Sequence, residues 1–190
     1  MLAGEPYLAD DPELVEESLR ALTLLEQFNA TPVRDAGART AILHQLLGAL
    51  GPGSEIRPPL RCDYGYNLCI GARTFVNFGL VALDCAPITI GDDVQIGPNV
   101  QLLTPTHPVE PDPRRAKLEA ASPIVIGDNV WLGGGALVGR GSASAAIPWW
   151  APGRWSPGIA GKRGGSGQPC SHPAPKPKDN RGPCTRFRFI

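Results

Sequence analysis

Three histidines, His44, His107 and His172, are the side chains of this 190-residue chain whose ordinary ionisation lies nearest neutral pH. His107 stands in the proline-crowded stretch LLTPTHPVEP. An imidazole there either takes a proton from a bound group or fills a turn, and the neighbouring residues alone leave both readings open. Three histidines converging on one point could bind zinc. These fall in a helical stretch, a loop and the C-terminal tail, so no metal site is expected. Five cysteines, at 62, 69, 85, 170 and 184, form no CxxC pair, which fits reduced thiols better than disulfides or zinc.

The elements that must position His107 change character along the chain. Asp11 is placed to accept the first free amides of a helix, Pro12 suits its first position, and Glu13 and Glu16 complement its positive end. Leu14, Val15, Leu19, Leu22, Leu25 and Phe28 recur at three- and four-residue steps and predict one apolar face. NATP at 29–32 breaks that helix. A second amphipathic stretch carries Ile42, Leu43, Leu46, Leu47 and Leu50, with Gly51 as its stop. Together they predict a helical hairpin packed on something larger.

From Ile70 the period becomes six. IGARTF, VNFGLV and ALDCAP are followed, after a two-residue slip, by IGDDVQ and IGPNVQ, and beyond a loop by IGDNVW and LGGGAL. Ile70, Val76, Ala82, Ile90, Ile96, Leu102, Ile126, Leu132 and Val138 hold the repeating aliphatic place. Six residues suit a short strand plus a corner, and three such units close a triangular coil. Coils stacked about 4.8 Å apart would place each aliphatic on its equivalent and build a continuous core. The following Gly71, Gly91, Gly97, Gly127 or Gly133 is expected to permit the sharp corner. Hexad repetition of this kind is a β-helix signature.

Composition narrows the class. With 42% hydrophobic and 19% charged residues the chain is neither disordered nor membrane-spanning in character. No apolar run approaches the roughly 20 residues a bilayer crossing needs. The acidic start MLAGEPYLADDPE lacks the features of a secretory signal, so a cytoplasmic location is expected. The zero formal net charge conceals a division. Nine Lys and Arg face 17 Asp and Glu up to Val138, whereas nine face a single acid, Asp179, from Gly139 onward. The balance is therefore about −8 followed by about +8.

LAGEPY, RPPLRCDYGYNLCIGARTFVNF, LDCAPITIGDDVQIGPNVQLLTPTHP and PIVIGDNVWLGGGALV together resemble the maltose and galactoside O-acetyltransferases, over residues 1 to about 138. The resemblance implies a mainly β fold: a left-handed parallel β-helix at 59–138, a helical cap at 1–58, an inserted active-site loop at about 103–122, and an irregular tail at 139–190. It also implies acetyl transfer from acetyl-CoA to a sugar hydroxyl in a homotrimer whose active sites lie between neighbouring β-helices.

A sugar hydroxyl is too weak an acid to lose its proton unaided, so its attack on a thioester benefits from a neutral imidazole. By the resemblance His107 is that base, and Glu119 in KLEAASP holds the far ring nitrogen. Asn77, Trp131 and Gly134 fall at positions near the acetyl-CoA, and Asp63 and Asp84 on the acceptor side. Read without the family, Glu119 is an ordinary solvated charge and Asn77 belongs to a stacked asparagine ladder. Asp63 stands where galactoside-type relatives carry serine, and Cys85 where some carry a second carboxylate.

After Val138 the pattern departs. The hexad phase calls for aliphatics at 144 and 150, where Ser144 and Trp150 stand. Either a reading-frame slip in the gene near residue 139 or a genuine extension would produce such a departure, and the codons favour the slip as the working hypothesis. Trp149 and Trp150 each need the codon TGG, which a neighbouring frame reads as Val, Leu or Met followed by Val, and codons exist for 139–158 whose other frame restores the hexads in phase. The tail is then expected to be disordered. Activity is expected to be impaired, because relatives use those coils to bind CoA. A noncatalytic hexapeptide-repeat scaffold is the competing reading. Nucleic-acid binding by the basic tail is not expected, because no known module is present.

Overall fold

The computed structural model describes residues 5–144 and 155–156. Helix α1 (Pro12–Ala30) starts as its sequence dictates: Asp11 accepts the Glu13 N–H at 2.9 Å, with Pro12 in the first turn. It stops at Thr31, whose extended backbone is the conformation favoured before Pro32. The expected apolar face is rotated. Ala21, Leu25 and Phe28 are buried, whereas Val15, Leu19 and Leu22 are 44%, 52% and 47% exposed. The narrower residue Ala21 allows the helix to sit close to its neighbours, so the buried stripe runs through it rather than through the larger leucines.

Helix α2 (Ala36–Leu46) is capped by Asp35, which accepts the Ala38 N–H at 3.0 Å. It ends at Leu47, before the expected stop at Gly51, because Leu50 already belongs to a strand, Ala49–Leu50, in register with Cys69 and Ile70. The solenoid thus begins ten residues ahead of the boundary expected at 59. Leu50, Ile56 and Cys62 form its first coil, each opposite its equivalent, Ile70, Val76 and Ala82. Asn29 ties the cap to that coil: its amide accepts the Leu60 N–H at 2.9 Å and donates to the Leu60 carbonyl at 3.0 Å.

Three parallel sheets form the faces of the prism. One runs from Ala49–Leu50 through Leu68–Ile70, Ile88–Ile90 and Ile124–Ile126 to Ala143–Ser144. The second stacks Leu60–Cys62, Leu80–Leu83, Gln101–Leu103, Leu137–Gly139 and Trp155–Ser156. The third stacks Glu55–Ile56, Phe75–Val76, Gln95–Ile96 and Trp131–Leu132. All nine aliphatic positions read from the hexads are buried in one core with Leu25, Phe28 and Leu46 of the cap. Each of the valine, leucine, isoleucine and phenylalanine side chains among them contributes about 1.5–3 kcal/mol on burial, and Ala82 less.

The corner glycines act differently from expectation. Gly71, Gly91 and Gly97 lie outside the left-handed region. What forbids a side chain is the next coil: a Cβ on Gly71 would stand 2.6 Å from the Gly91 carbonyl carbon, and one on Gly97 2.6 Å from the Gly134 nitrogen. The left-handed turns fall instead at Arg73, Asp93 and Asn129 in one corner and at Gly79, Asn99 and Gly135 in another.

Strand pairing also passes the boundary expected at 138. Ala143–Ser144 pairs with Val125–Ile126, and Trp155–Ser156 with Leu137–Val138. Main-chain hydrogen bonding carries this pairing, with Ser144 in register with Ile126. The expected irregular tail otherwise falls on 145–154 and 157–190, outside the described residues.

Candidate active site

The loop between the third and fourth coils carries the candidate residues His107 and Glu119. It leaves after Leu103 and returns at Ser122, whose N–H donates to the Thr104 carbonyl at 3.1 Å. The buried Thr104 hydroxyl donates to the Leu83 carbonyl at 2.6 Å and accepts the Ala86 N–H at 3.0 Å, closing the neck. Beyond it Pro105–Thr106 pairs antiparallel with Leu118–Ala121, and a short helix α3 (Pro111–Arg115) spans the tip. A third strand, Tyr7–Leu8, pairs with Leu118 and Glu119 from the other side.

These strands bring His107 and Glu119 together, Nδ1 to Oε1 at 3.6 Å. That is within ion-pair reach and longer than an ordinary hydrogen bond of about 3 Å. The histidine side chain is 60% exposed and the glutamate 19%. Glu119 is therefore not a freely solvated charge: its Oε2 also accepts the Tyr7 hydroxyl at 2.9 Å. Tyr7 was not singled out in the sequence, although it lies inside the LAGEPY stretch that carries the resemblance.

His107 and Glu119 open onto a cavity of about 360 Å³. Leu14, Val15 and Leu19 of α1 form one wall, and Asp63 faces from another side. Glu17 anchors α1 to the Asp63 corner by accepting the Tyr66 hydroxyl at 2.5 Å. Burial raises the Asp63 carboxyl above its ordinary range; the Cys85 hydrogen bond opposes this and the Glu119 charge adds to it. Cys85 donates to Asp63 Oδ2 at 3.3 Å, and its thiol is pushed up to about 12, chiefly by burial. A thiol held protonated is a poor nucleophile. A covalent cysteine route finds no support here.

Asp84 does not reach the cavity. It is fully buried, and Oδ1 accepts the N–H groups of Asp63 and Tyr64 at 3.0 and 2.9 Å while Oδ2 accepts that of Asn67 at 3.2 Å. The expected acceptor-side contact is corrected accordingly: Asp84 shapes the corner that presents Asp63.

Asn77, Trp131 and Gly134 lie elsewhere. They belong to the third sheet and its corners, and none lines the cavity. Asn77 accepts the Phe78 N–H through its own side chain at 2.9 Å, and its coil equivalents are Gly97 and Gly133, so no asparagine ladder exists. Trp131 is 50% and Phe78 51% exposed on this face. A single chain thus holds two groups of candidate residues apart. Among the described residues, no cluster of His, Cys, Asp or Glu could hold a metal ion, and no helix is long and apolar enough to cross a membrane.

Known proteins share both the cap and the coils. The family model described as the maltose acetyltransferase hexapeptide capping motif matches residues 1–51. Nodulation protein L of Rhizobium meliloti (strain 1021) is 47% identical over 138 residues, which are 73% of this chain and 75% of that protein. The chain belongs to the hexapeptide-repeat acetyltransferases. Within this family, the crystal structure of a maltose O-acetyltransferase from Clostridium difficile 630 superposes with a TM-score of 0.74 at 40% identity, covering 75% of this chain and 76% of that one. A hexapeptide-repeat acetyltransferase from Vibrio cholerae O1 biovar eltor, complexed with acetyl coenzyme A, gives 0.70 at 38% identity, covering 75% of this chain and 77% of that one. The parallel sheets and the cap are therefore family architecture.

Proposed function

We propose that the chain transfers the acetyl group of acetyl-CoA to a hydroxyl of a sugar-type acceptor, with His107 as general base. The observation that carries this reading is the His107–Glu119 pair at the mouth of a cavity. With Nδ1 turned to Glu119, Nε2 is the nitrogen left to face the acceptor. The hydroxyl oxygen attacks the thioester carbonyl as Nε2 takes its proton; the C–S bond then breaks, and the CoA thiolate leaves with that proton. A carboxylate beside the far nitrogen stabilises the imidazolium formed in between. Asp63 is placed to hold the acceptor's other hydroxyls.

Acetyl-CoA as donor is supported by the complex of the Vibrio cholerae relative, and a sugar acceptor by the maltose-acting relative. Asn77, Trp131 and Gly134 serve the donor, and since they lie on a different face from His107, a neighbouring protomer supplies them in a homotrimer. The exposed aliphatics of α1 and the exposed Trp131 and Phe78 give that contact two unlike apolar faces, as a closed heterologous ring requires. Because the hexads lapse after Val138, turnover is expected to lie well below that of relatives whose repeats continue.

Thiol release from acetyl-CoA in the presence of maltose or a galactoside tests the reading. His107→Ala should lower kcat by about 10²–10⁴-fold. A variant as active as the parent protein would remove His107 from the mechanism.

A further inference from the structure

Glu119 addresses a different partner with each oxygen. Oε1 looks at His107 across 3.6 Å, and Oε2 accepts the Tyr7 hydroxyl at 2.9 Å. Tyr7 comes from 112 residues away in the chain and is held in place by more than this bond. Its strand pairs Tyr7 with Glu119 and Leu8 with Leu118. Next to it the Ala9 N–H donates to the Lys117 carbonyl at 3.3 Å, and Lys117 Nζ meets Asp10 Oδ2 at 2.7 Å. The ring packs against the buried cluster of Tyr64, Cys85, Ala86 and Ala121. A phenol on a supported ring is a far stiffer anchor than a surface lysine or a water molecule.

We propose that Tyr7 is a positioning residue of the transfer reaction: its hydroxyl holds Glu119 in the rotamer from which Oε1 meets His107 Nδ1, and so selects the tautomer that leaves Nε2 free. The proposal rests on the reading of His107 as the base. Glutamate has three side-chain torsions, and a carboxylate without an anchor turns freely on them. A charge-assisted bond to one oxygen removes that freedom while sparing the other oxygen for the imidazole. The His107–Glu119 separation of 3.6 Å is already longer than an ordinary hydrogen bond, so rotation of Glu119 away from the imidazole ends the contact. The donor is also constant. Burial, followed by Cys85 and Glu119, keeps the Tyr7 phenol well above its ordinary range, so among Asp63, Tyr64, Cys85 and Glu119 it stays protonated at any working pH.

Tyr7→Phe removes the hydroxyl and keeps the ring, its packing and the strand. In the full-length chain we expect kcat to fall about tenfold, with KM for acetyl-CoA and acceptor each within about twofold. In a Glu119→Ala background the same change should alter kcat by less than about twofold, because Tyr7 acts through Glu119; a merely structural role would persist there. Nitrogen-15 spectra of histidine-labelled protein supply a readout independent of turnover. The His107 ring should carry its proton mainly on Nδ1 in the parent chain and relax toward an ordinary tautomer mixture in both Tyr7→Phe and Glu119→Ala. A parent-like tautomer in Tyr7→Phe overturns the proposal, as does equal damage with and without Glu119. His107→Ala distinguishes the two readings: full activity there sinks the base assignment, whereas loss of activity there beside a parent-like Tyr7→Phe sinks only the role of Tyr7.

Discussion

At the scale of single residues, Asp84 shows how a cavity-lining residue, Asp63, is held by a fully buried neighbour. Three main-chain N–H groups favour its charged form, yet burial prevails and pushes its carboxyl up from 3.8 to about 6. The folded protein therefore binds this proton more tightly than the unfolded chain does. The stability it contributes is fully present below about pH 4 and lost as pH rises through about 6. Urea unfolding should show this group's share falling by about 1–2 kcal/mol between pH 4.5 and 7. Asp84→Asn should flatten that slope while lowering stability throughout, since an amide nitrogen cannot accept the Asn67 N–H. An unchanged slope would assign the effect elsewhere. The sequence placed Asp63 and Asp84 near one another, but not their division of labour, because the hydrogen bonds that divide them join residues 17 to 21 positions apart across stacked coils. The pairing of His107 with Glu119 was implied by the family resemblance, and the two do lie side by side; the contact of Tyr7 with Glu119 was not legible, since it is set by a strand pairing that crosses nearly the whole described chain.

At the scale of elements, the coils are governed by how closely they approach. Gly97 has ordinary backbone angles but no room for a methyl group before Gly134. Gly97→Ala should thus destabilise by about 1–3 kcal/mol through overpacking, read as a lower urea midpoint with unchanged m-value. A neutral result would mean that the coils can part at that corner. Most of this architecture could be read from the six-residue period, and each of the nine aliphatic positions reached the core. The first coil escaped notice although Leu50, Ile56 and Cys62 keep the same phase as Ile70, Val76 and Ala82. Leu50 continues the helical spacing of α2, so two periods overlap there, and hydrophobicity alone could not say which prevails. The face of α1 was misread for a related reason: periodicity identifies an apolar stripe but not which flank of it meets the core.

At the scale of the whole molecule, the cavity and the Trp131 face are complementary halves of one proposed centre. Trp131→Arg would place a charge in a contact of exposed aliphatic and aromatic side chains. Sedimentation equilibrium should show a shift from trimer toward monomer, and acetyl transfer should fall in parallel. A variant that remains trimeric and fully active would separate the Trp131 face from both roles.

The neck at Thr104 has a wider consequence. Because the excursion departs and re-enters at one hydrogen-bonded point, Ile90 and Ile126 stack as if nothing lay between them. The tip of the segment, around α3, can therefore lengthen or shorten without altering the pitch of the tower beneath it. The length of the excursion is in this way mechanically uncoupled from the stacking of the coils, and its tip around α3 could vary across a lineage at little risk to the scaffold.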